Sequence, residues 1–88
     1  TDVLDRAMID LLSFYRDVLT TQMGSDVERV NLDLSDAVDQ VARTTTPEQS
    51  LARIAAIEEC RSRLRSNAAP LLAVEALMVQ LRPQAEGR

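Results

Sequence analysis

The side chains of this sequence that could do chemistry are mainly carboxylates. Glu58 and Glu59 are adjacent, and Asp33, Asp36 and Asp39 recur at every third position. Paired carboxylates can act as general acid and base or can hold a cation. With 14 Asp and Glu residues in a chain of 88, however, such pairs also arise by chance. We therefore interpret both groups as solvated helix faces.

The partners that catalytic carboxylates, serines or thiols would need are absent from the sequence. It contains no His and one Cys, Cys60, which leaves no imidazole base for a serine nucleophile, no internal disulfide and no Cys-based metal site. Its two glycines, Gly24 and Gly87, cannot form a phosphate-cradling loop or a Gly-x-Ser-x-Gly elbow. We predict no enzymatic activity, no cofactor and no metal site, with Cys60 as an inert, small apolar residue.

Two further charges lie inside apolar stripes. At 100° per residue, Arg61 and Glu75 each fall within the apolar stripe of a helix. An isolated buried charge is expensive, so such side chains usually pair or reach solvent. We predict that Arg61 and Glu75 form an ion pair across a helical hairpin; the alternative is that Arg61 lies at the edge of its stripe and snorkels. The stripe around Arg61 contains Ile54, Ile57 and Leu64, and the stripe around Glu75 contains Leu71, Leu72 and Met78.

The hairpin that positions these charges begins at Thr46. Thr46 and Gln49 form a capping-box pattern, and Pro47 suits the first position of a helix. The first helix of the hairpin, with Leu51 at the start of its stripe, can end at Asn67, because Asn tolerates the left-handed conformation of a C-terminal cap.

The second helix of the hairpin, from Pro70 to about Arg82, is apolar almost all the way round. Pro83 ends it, because a proline disfavours helical geometry in the residue before it. A helix of this kind is usually buried, so we predict that it lies in the middle of a bundle and is covered by the other helices. Its apolar residues are Leu71, Leu72, Val74, Leu77, Met78, Val79 and Leu81.

Elements that could cover this helix precede the hairpin. A first helix is predicted from about Asp2 to Met23, with Gly24 as its C-terminal cap. Phe14 lies at one edge of its stripe and either packs in the core or is an exposed contact residue. The stripe consists of Leu4, Met8, Leu11, Leu12, Tyr15, Val18 and Leu19.

The helical periodicity breaks between Ser25 and Asp33, where we predict a connector. A short helix from about Leu34 to Arg43 follows it, with Asp33 or Ser35 as the N-terminal cap. We predict that the apolar residues of both segments point inward. They are Val27, Val30, Leu32 and Leu34 around the connector, and Val38, Val41 and Ala42 in the short helix.

The composition predicts one small all-α domain, a helical bundle that spans residues 1–88. Hydrophobic residues make up 45% of the chain, which is enough for a folded core. The net charge of −4 argues against nucleic-acid contact by this domain, since duplex binding needs a basic surface. No stretch approaches the roughly 20 apolar residues of a membrane span, and no signal peptide is visible. We expect no membrane contact and a cytoplasmic location.

Five short motifs form a pattern along nearly the whole chain. They are Phe14-Tyr15-Arg16-Asp17-Val18-Leu19, Val30-Asn31-Leu32-Asp33, Thr46-Pro47-Glu48, Ile57-x-x-Cys60-Arg61-x-x-Leu64-x-x-Asn67 and Leu71-x-Ala73-Val74-Glu75-Ala76-Leu77. The pattern resembles the C-terminal collar domain of the subunits that form a bacterial DNA polymerase III clamp loader. Within that family it resembles the delta-prime subunit most, in its actinobacterial form, although gamma and tau subunits share the Arg-x-x-Leu-x-x-Asn and Leu-Ala-x-Glu elements.

The resemblance implies a role in DNA replication. In this family the collar is an α-helical domain that packs with four others into a pentameric ring. The ring holds the ATPase modules that open the sliding clamp and load it on DNA. The resemblance thus implies that the chain is the C-terminal part of a longer AAA+ type protein, as expected of a chain that starts at Thr1 without a methionine. It also implies gamma/tau and delta subunits as partners, and no ATP or DNA site in this domain.

This chain departs from the family pattern at two points. The pattern often has a second Asn near the turn between the last two helices, where this chain has Ala69. The family's collar is also usually longer, so we expect that an N-terminal helix is missing.

The residues alone leave a second function open, a free-standing helical adaptor that binds a partner helix. An AAA+ module upstream would favour the collar, and a short independent reading frame would favour the adaptor. Because a collar domain packs laterally against sister domains, we predict that Phe14 and Val79 make contacts between subunits. The alternative is that both residues belong to the core.

Overall fold

The computed structural model of this chain describes residues 2–66 and 69–82. Over these ranges the chain forms four α-helices and no strand, which confirms the predicted all-α class. The helices are α1 (Asp2–Gln22), α2 (Ser35–Thr44), α3 (Pro47–Arg65) and α4 (Pro70–Leu81), and a 3-10 turn (Leu32–Leu34) precedes α2. The cap predicted at Asn67 lies outside the described residues.

Two of the predicted helix boundaries are confirmed by their hydrogen bonds. Gly24 has a φ of 69°, the left-handed conformation that favours glycine, and the following N–H of Ser25 donates to the Thr20 carbonyl at 3.0 Å. At the start of α3, the Gln49 N–H donates to the Thr46 hydroxyl oxygen at 3.1 Å, while the Gln49 side-chain oxygen accepts from the Thr46 N–H at 2.9 Å. The glycine cap and the capping box therefore fix the end of α1 and the start of α3.

The helices pack as a series of neighbours, with α2 on α1, α1 on α3, and α3 on α4. Within the described ranges, the backbone of α4 approaches neither α1 nor α2. The domain is correspondingly flat, with dimensions of 38 × 33 × 17 Å. Its main core lies where α1, α3 and α4 converge, and Val18 and Val38 are buried where α2 packs on α1. The main core consists of Met8, Leu12, Ile57, Cys60, Ala73 and Leu77.

The prediction that α4 lies in the middle of the bundle is wrong. This helix lies at the edge of the domain, and α3 is the one described helix whose backbone it approaches. It buries the small Ala73 and the large Leu77, while four other aliphatic side chains stay exposed. The apolar character of α4 exceeds what one neighbouring helix can cover. Leu51, predicted in the α3 stripe, is exposed as well.

The prediction that the connector buries its apolar residues is also wrong. Val27, Val30, Leu32 and Leu34 are all exposed. Helix α2 starts without a side-chain cap from Asp33 or Ser35, and the Ser35 hydroxyl instead donates to the Leu32 carbonyl at 2.9 Å. Polar contacts with α1, described below, hold the connector in place of apolar burial. The inward position of Val38 in α2 is confirmed.

Candidate functional site

Among the described helices, α4 has the most large apolar side chains exposed on one side, the side that faces away from α3. We call it the outer face; its residues are Leu71, Leu72, Met78 and Val79, between 56% and 70% exposed. At 100° per residue these side chains lie opposite the buried Leu77. Glu75 lies among them and is exposed. Exposed apolar side chains that cluster in this way mark contact sites for other macromolecules.

A groove of about 390 Å³ runs between α3 and α4, beside the outer face. Small side chains line it, among them Ala52, Ala55 and Ala76. Cys60 also lines the groove, where its thiol donates to the Ala73 carbonyl over 3.7 Å. Burial raises the pKa of the Cys60 thiol, although the nearby Arg63 partly opposes this shift. The thiol is therefore held in its neutral form, as expected for a small core residue.

The predicted ion pair between Arg61 and Glu75 is not formed among the described residues. The Arg61 Nε instead donates to the Asp5 carboxylate of α1 at 3.0 Å. Arg61 is half-buried on the side of α3 that faces α1, whereas α4 packs on another side of the same helix. The prediction placed Arg61 in an apolar stripe correctly but assigned that stripe to the wrong neighbouring helix.

Phe14, predicted as a contact between subunits, is half-buried and belongs to a cluster with Tyr15 and Arg53, which we call the Phe14 cluster. Its ring packs edge-on against Tyr15, with ring centroids 5.3 Å apart and an angle of 88°. The guanidinium carbon of Arg53 lies 5.6 Å from the centroid of the Tyr15 ring. Arg53 is only 9% exposed. The sequence reasoning missed Arg53, although its spacing from Ile57 places it on the inner side of α3.

A buried carboxylate, Asp17 on α1, holds the connector. Asp17 is 4% exposed and accepts three hydrogen bonds, from the Val30 N–H at 3.1 Å and from the Asn31 backbone and side-chain N–H groups at 2.8 Å each. Burial alone raises the pKa of Asp17, but the hydrogen bonds from Asn31 and Val30, with the charge of Arg29, outweigh it and hold the pKa below its usual value. The connector is therefore tied to an ionised group.

A second polar contact joins the end of α1 to the junction of α2 and α3. The Gln22 amide group donates to the Thr45 carbonyl at 2.9 Å and to the Thr45 hydroxyl at 3.0 Å. Its amide oxygen accepts from the hydroxyl of the fully buried Ser50 at 2.7 Å. These residues satisfy each other's hydrogen bonds and leave no polar group directed toward a ligand. We therefore assign them a role in stabilising the fold.

The described residues offer two surfaces for contact, the outer face and the Phe14 cluster. They contain no group of three or more His, Cys, Asp or Glu side chains placed to hold a metal ion. Over the same residues, no helix combines the length and the apolarity needed to span a bilayer. The outer face and the Phe14 cluster are thus the features that a binding function would use.

A comparison with protein families identifies the domain. The model of the family described as "DNA polymerase III, delta subunit, C terminal" matches residues 4–82. The chain belongs to this family. A search of curated proteins and a search of solved structures each gave no significant match.

The match places the observed surfaces inside the C-terminal domain of the delta-subunit family. Residues 4–82 extend from the first turn of α1 to the end of α4. The outer face, the groove and the Phe14 cluster all lie within this range. They are therefore parts of a domain from DNA polymerase III, and their role is to be sought in that assembly.

Proposed function

We propose that this chain is the collar domain of the delta-prime subunit of the DNA polymerase III clamp loader. In this role it holds the pentameric complex together for the ATP-driven loading of the sliding clamp onto DNA. Membership of the family of delta-subunit domains described above supports a clamp-loader role. Within that family the sequence pattern as a whole resembles the delta-prime subunit most, which supports delta-prime over gamma or tau.

The observation that carries the proposal is the outer face of α4. A domain that works alone rarely leaves four large aliphatic side chains of one helix exposed on one side, because their burial is worth about 25 cal/mol per Å². The position of α4 at the edge of a flat domain leaves this face open to a neighbouring domain. An edge helix with an open apolar side is what lateral assembly requires.

The proposed partners are the other clamp loader subunits, gamma/tau and delta. We propose that this domain contributes contacts alone, with no enzymatic step, cofactor or nucleic-acid contact of its own. ATP hydrolysis and DNA contact then belong to other modules of the complex. A function in bacterial DNA replication corresponds to a cytoplasmic location, which we propose for this chain as well.

Charges placed on the outer face test the proposal. The double variant Leu72→Asp and Val79→Asp in the whole protein should fold normally, because both side chains are exposed, and should fail to join the other clamp loader subunits. The matched control is Ala37→Asp with Gln40→Asp, two exposed positions on α2. Size-exclusion chromatography of the mixed subunits measures assembly, and circular dichroism on heating measures folding.

The outcome also separates the collar from the adaptor. Loss of the complex with the outer-face variant alone supports the collar. A complex that forms equally well with both variants would contradict it, because the outer face would then have no part in assembly. A wild-type protein that binds none of the clamp loader subunits would leave the adaptor as the better interpretation.

A further inference from the structure

Arg53 is the most buried arginine of the described residues, yet it has no acidic partner among them. The ion pairs in the described ranges use Arg6, Arg16, Arg29, Arg61 and Arg63. Arg53 makes no ion pair and no side-chain hydrogen bond there, in a chain with 14 acidic residues. A guanidinium carries five N–H donors, and a largely buried cation is usually matched by a carboxylate. The carboxylate that would match Arg53 is missing from the described residues.

The guanidinium nonetheless reaches the surface. In the described part of the chain, every fully buried side-chain nitrogen and oxygen has a hydrogen-bond partner. Since the Arg53 nitrogens make no hydrogen bond there, they must touch solvent. The 9% of Arg53 that is exposed therefore includes its charged end, while its aliphatic stem is packed inside. The exposed part of Arg53 therefore consists mainly of its N–H donors.

The aromatic rings beside Arg53 hold it in position. Tyr15 lies under the guanidinium, and Phe14 packs edge-on against Tyr15. A guanidinium above an aromatic ring is attracted to it by a cation–π interaction, and its N–H groups can still donate to a carboxylate. Tyr15 is itself half-buried and packs against the core, so the guanidinium lies at the edge of the apolar interior. Such surroundings strengthen a charged hydrogen bond.

We propose that Phe14, Tyr15 and Arg53 form a binding site for an Asp or Glu side chain of a neighbouring clamp loader protein. The identity of the partner rests on the function proposed above; the carboxylate chemistry rests on Arg53 itself. In this arrangement Arg53 binds the carboxylate through its planar edge, and Phe14 supplies apolar contact beside it. The site lies on α1 and α3, and so is separate from the outer face of α4.

The decisive variant is Arg53→Met, which keeps the length of the stem and removes the charge. The dissociation constant between the whole protein and the purified partner subunits is measured at low and at high salt. We expect Arg53→Met to weaken binding by about tenfold or more at low salt, with a smaller dependence on salt than the wild type. Arg65→Met, an exposed arginine on the same helix, is the control and should bind as the wild type does. Wild-type binding by Arg53→Met would overturn the proposal.

A second variant covers the case in which Arg53→Met does not fold. Arg53→Lys keeps the charge but cannot make the planar, bidentate bond. We expect it to unfold at nearly the wild-type temperature and to bind several-fold more weakly. If Arg53→Lys binds as tightly as the wild type, the guanidinium geometry is irrelevant and the proposal fails.

Three further outcomes separate this proposal from its alternatives. If Glu86→Gln weakens binding as much as Arg53→Met does, the carboxylate belongs to this chain and the proposal is overturned. If the outer-face variant abolishes assembly while Arg53→Met leaves it intact, the collar function stands and only the carboxylate site fails. If the wild type binds none of the partner subunits, both proposals fail together.

Discussion

The C-terminal end of α1 buries polar side chains, whereas α4 exposes apolar ones. At the end of α1, Asp17 and Gln22 find their hydrogen-bond partners in the connector and at the start of α3. On α4, Leu77 is buried, but the residues of the outer face are not. The polarity of a segment therefore does not tell where it lies in this domain.

The difference arises because the hydrogen bonds of the first region are completed within the chain, whereas the apolar surface of the second is not covered there. A buried carboxylate or amide is tolerated if its bonds are complete, and the connector supplies them at short range along the chain. An aliphatic surface can be covered only by other surface, and a chain of this length has few helices to offer. The first region is thus satisfied within the described chain, and the second stays open to a further surface.

The largest expected effect tests the two sides of α4 against each other. Leu77→Ala should lower the free energy of unfolding by about 2–5 kcal/mol, because it opens a cavity in the core. Leu72→Ala, on the outer face, should change it by only about 0.5 kcal/mol. Urea unfolding of both variants gives the comparison. Equal losses would mean that the two sides of α4 are buried alike, contrary to the structure.

The next effect concerns the buried carboxylate. Asp17→Ala should cost about 2–3 kcal/mol, since it leaves the N–H groups of Val30 and Asn31 without their acceptor. Asp36→Ala, at an exposed position on α2, is the control and should stay within about 0.5 kcal/mol of the wild type. Denaturant titration measures both.

The pH dependence gives an independent check on Asp17. Its pKa in the folded state is held below 3.8, so the stability it contributes is fully present above that pH and is lost as the pH falls through the folded pKa. The pKa of Asp39 is lowered as well, mainly by a hydrogen bond from Arg29, and adds to the same trend. The stability difference between wild type and Asp17→Ala should therefore shrink on acidification. A difference that stays constant below pH 3.8 would show that the charge of Asp17 does not matter.

A smaller effect is expected at Phe14, which belongs to neither region of the comparison. It is half-buried on α1, so Phe14→Ala should lower the stability of the free protein only slightly. Its loss as an aromatic anchor should weaken assembly with the partner subunits by about 2 kcal/mol. Thermal unfolding and the dissociation constant are the two measurements. A collapse in stability, or normal assembly, would show that Phe14 makes no contact between subunits.

Local signals made the helices of this domain predictable. The capping box at Thr46 and the glycine at position 24 depend on residues a few positions apart, and both were predicted correctly. The inward positions of Met8, Leu12 and Val38 follow from helical periodicity, which is also local. The sequence therefore predicts which segments are helical and, in α1 and α2, which side is buried.

The arrangement of the helices was less predictable, because it depends on distant pairs. Helical periodicity shows that Arg61 shares a side with core residues, but not whether α1 or α4 covers it. In the same way, the apolar sequence of α4 predicts that this helix is buried, but it does not show whether this chain or another one covers it. The hydrogen bonds of Asp17 with Asn31 gave no signal, since neither residue belongs to a periodic pattern.

The smallest expected effect distinguishes the predicted ion pair from the observed one. Asp5 and Arg61 bond at 3.0 Å, but both side chains remain partly exposed, so a double-mutant cycle should give a coupling energy of only about 0.2–1 kcal/mol. The cycle between Arg61 and Glu75 should give none, because Glu75 lies on the outer face of α4. Both cycles use the variants Arg61→Met, Asp5→Asn and Glu75→Gln, alone and in pairs. Each substitution removes a charge and changes the volume of the side chain little. A larger coupling for Glu75 than for Asp5 would require α4 to pack on α3 with its outer face inward. That result would remove the exposed surface on which the proposed assembly depends.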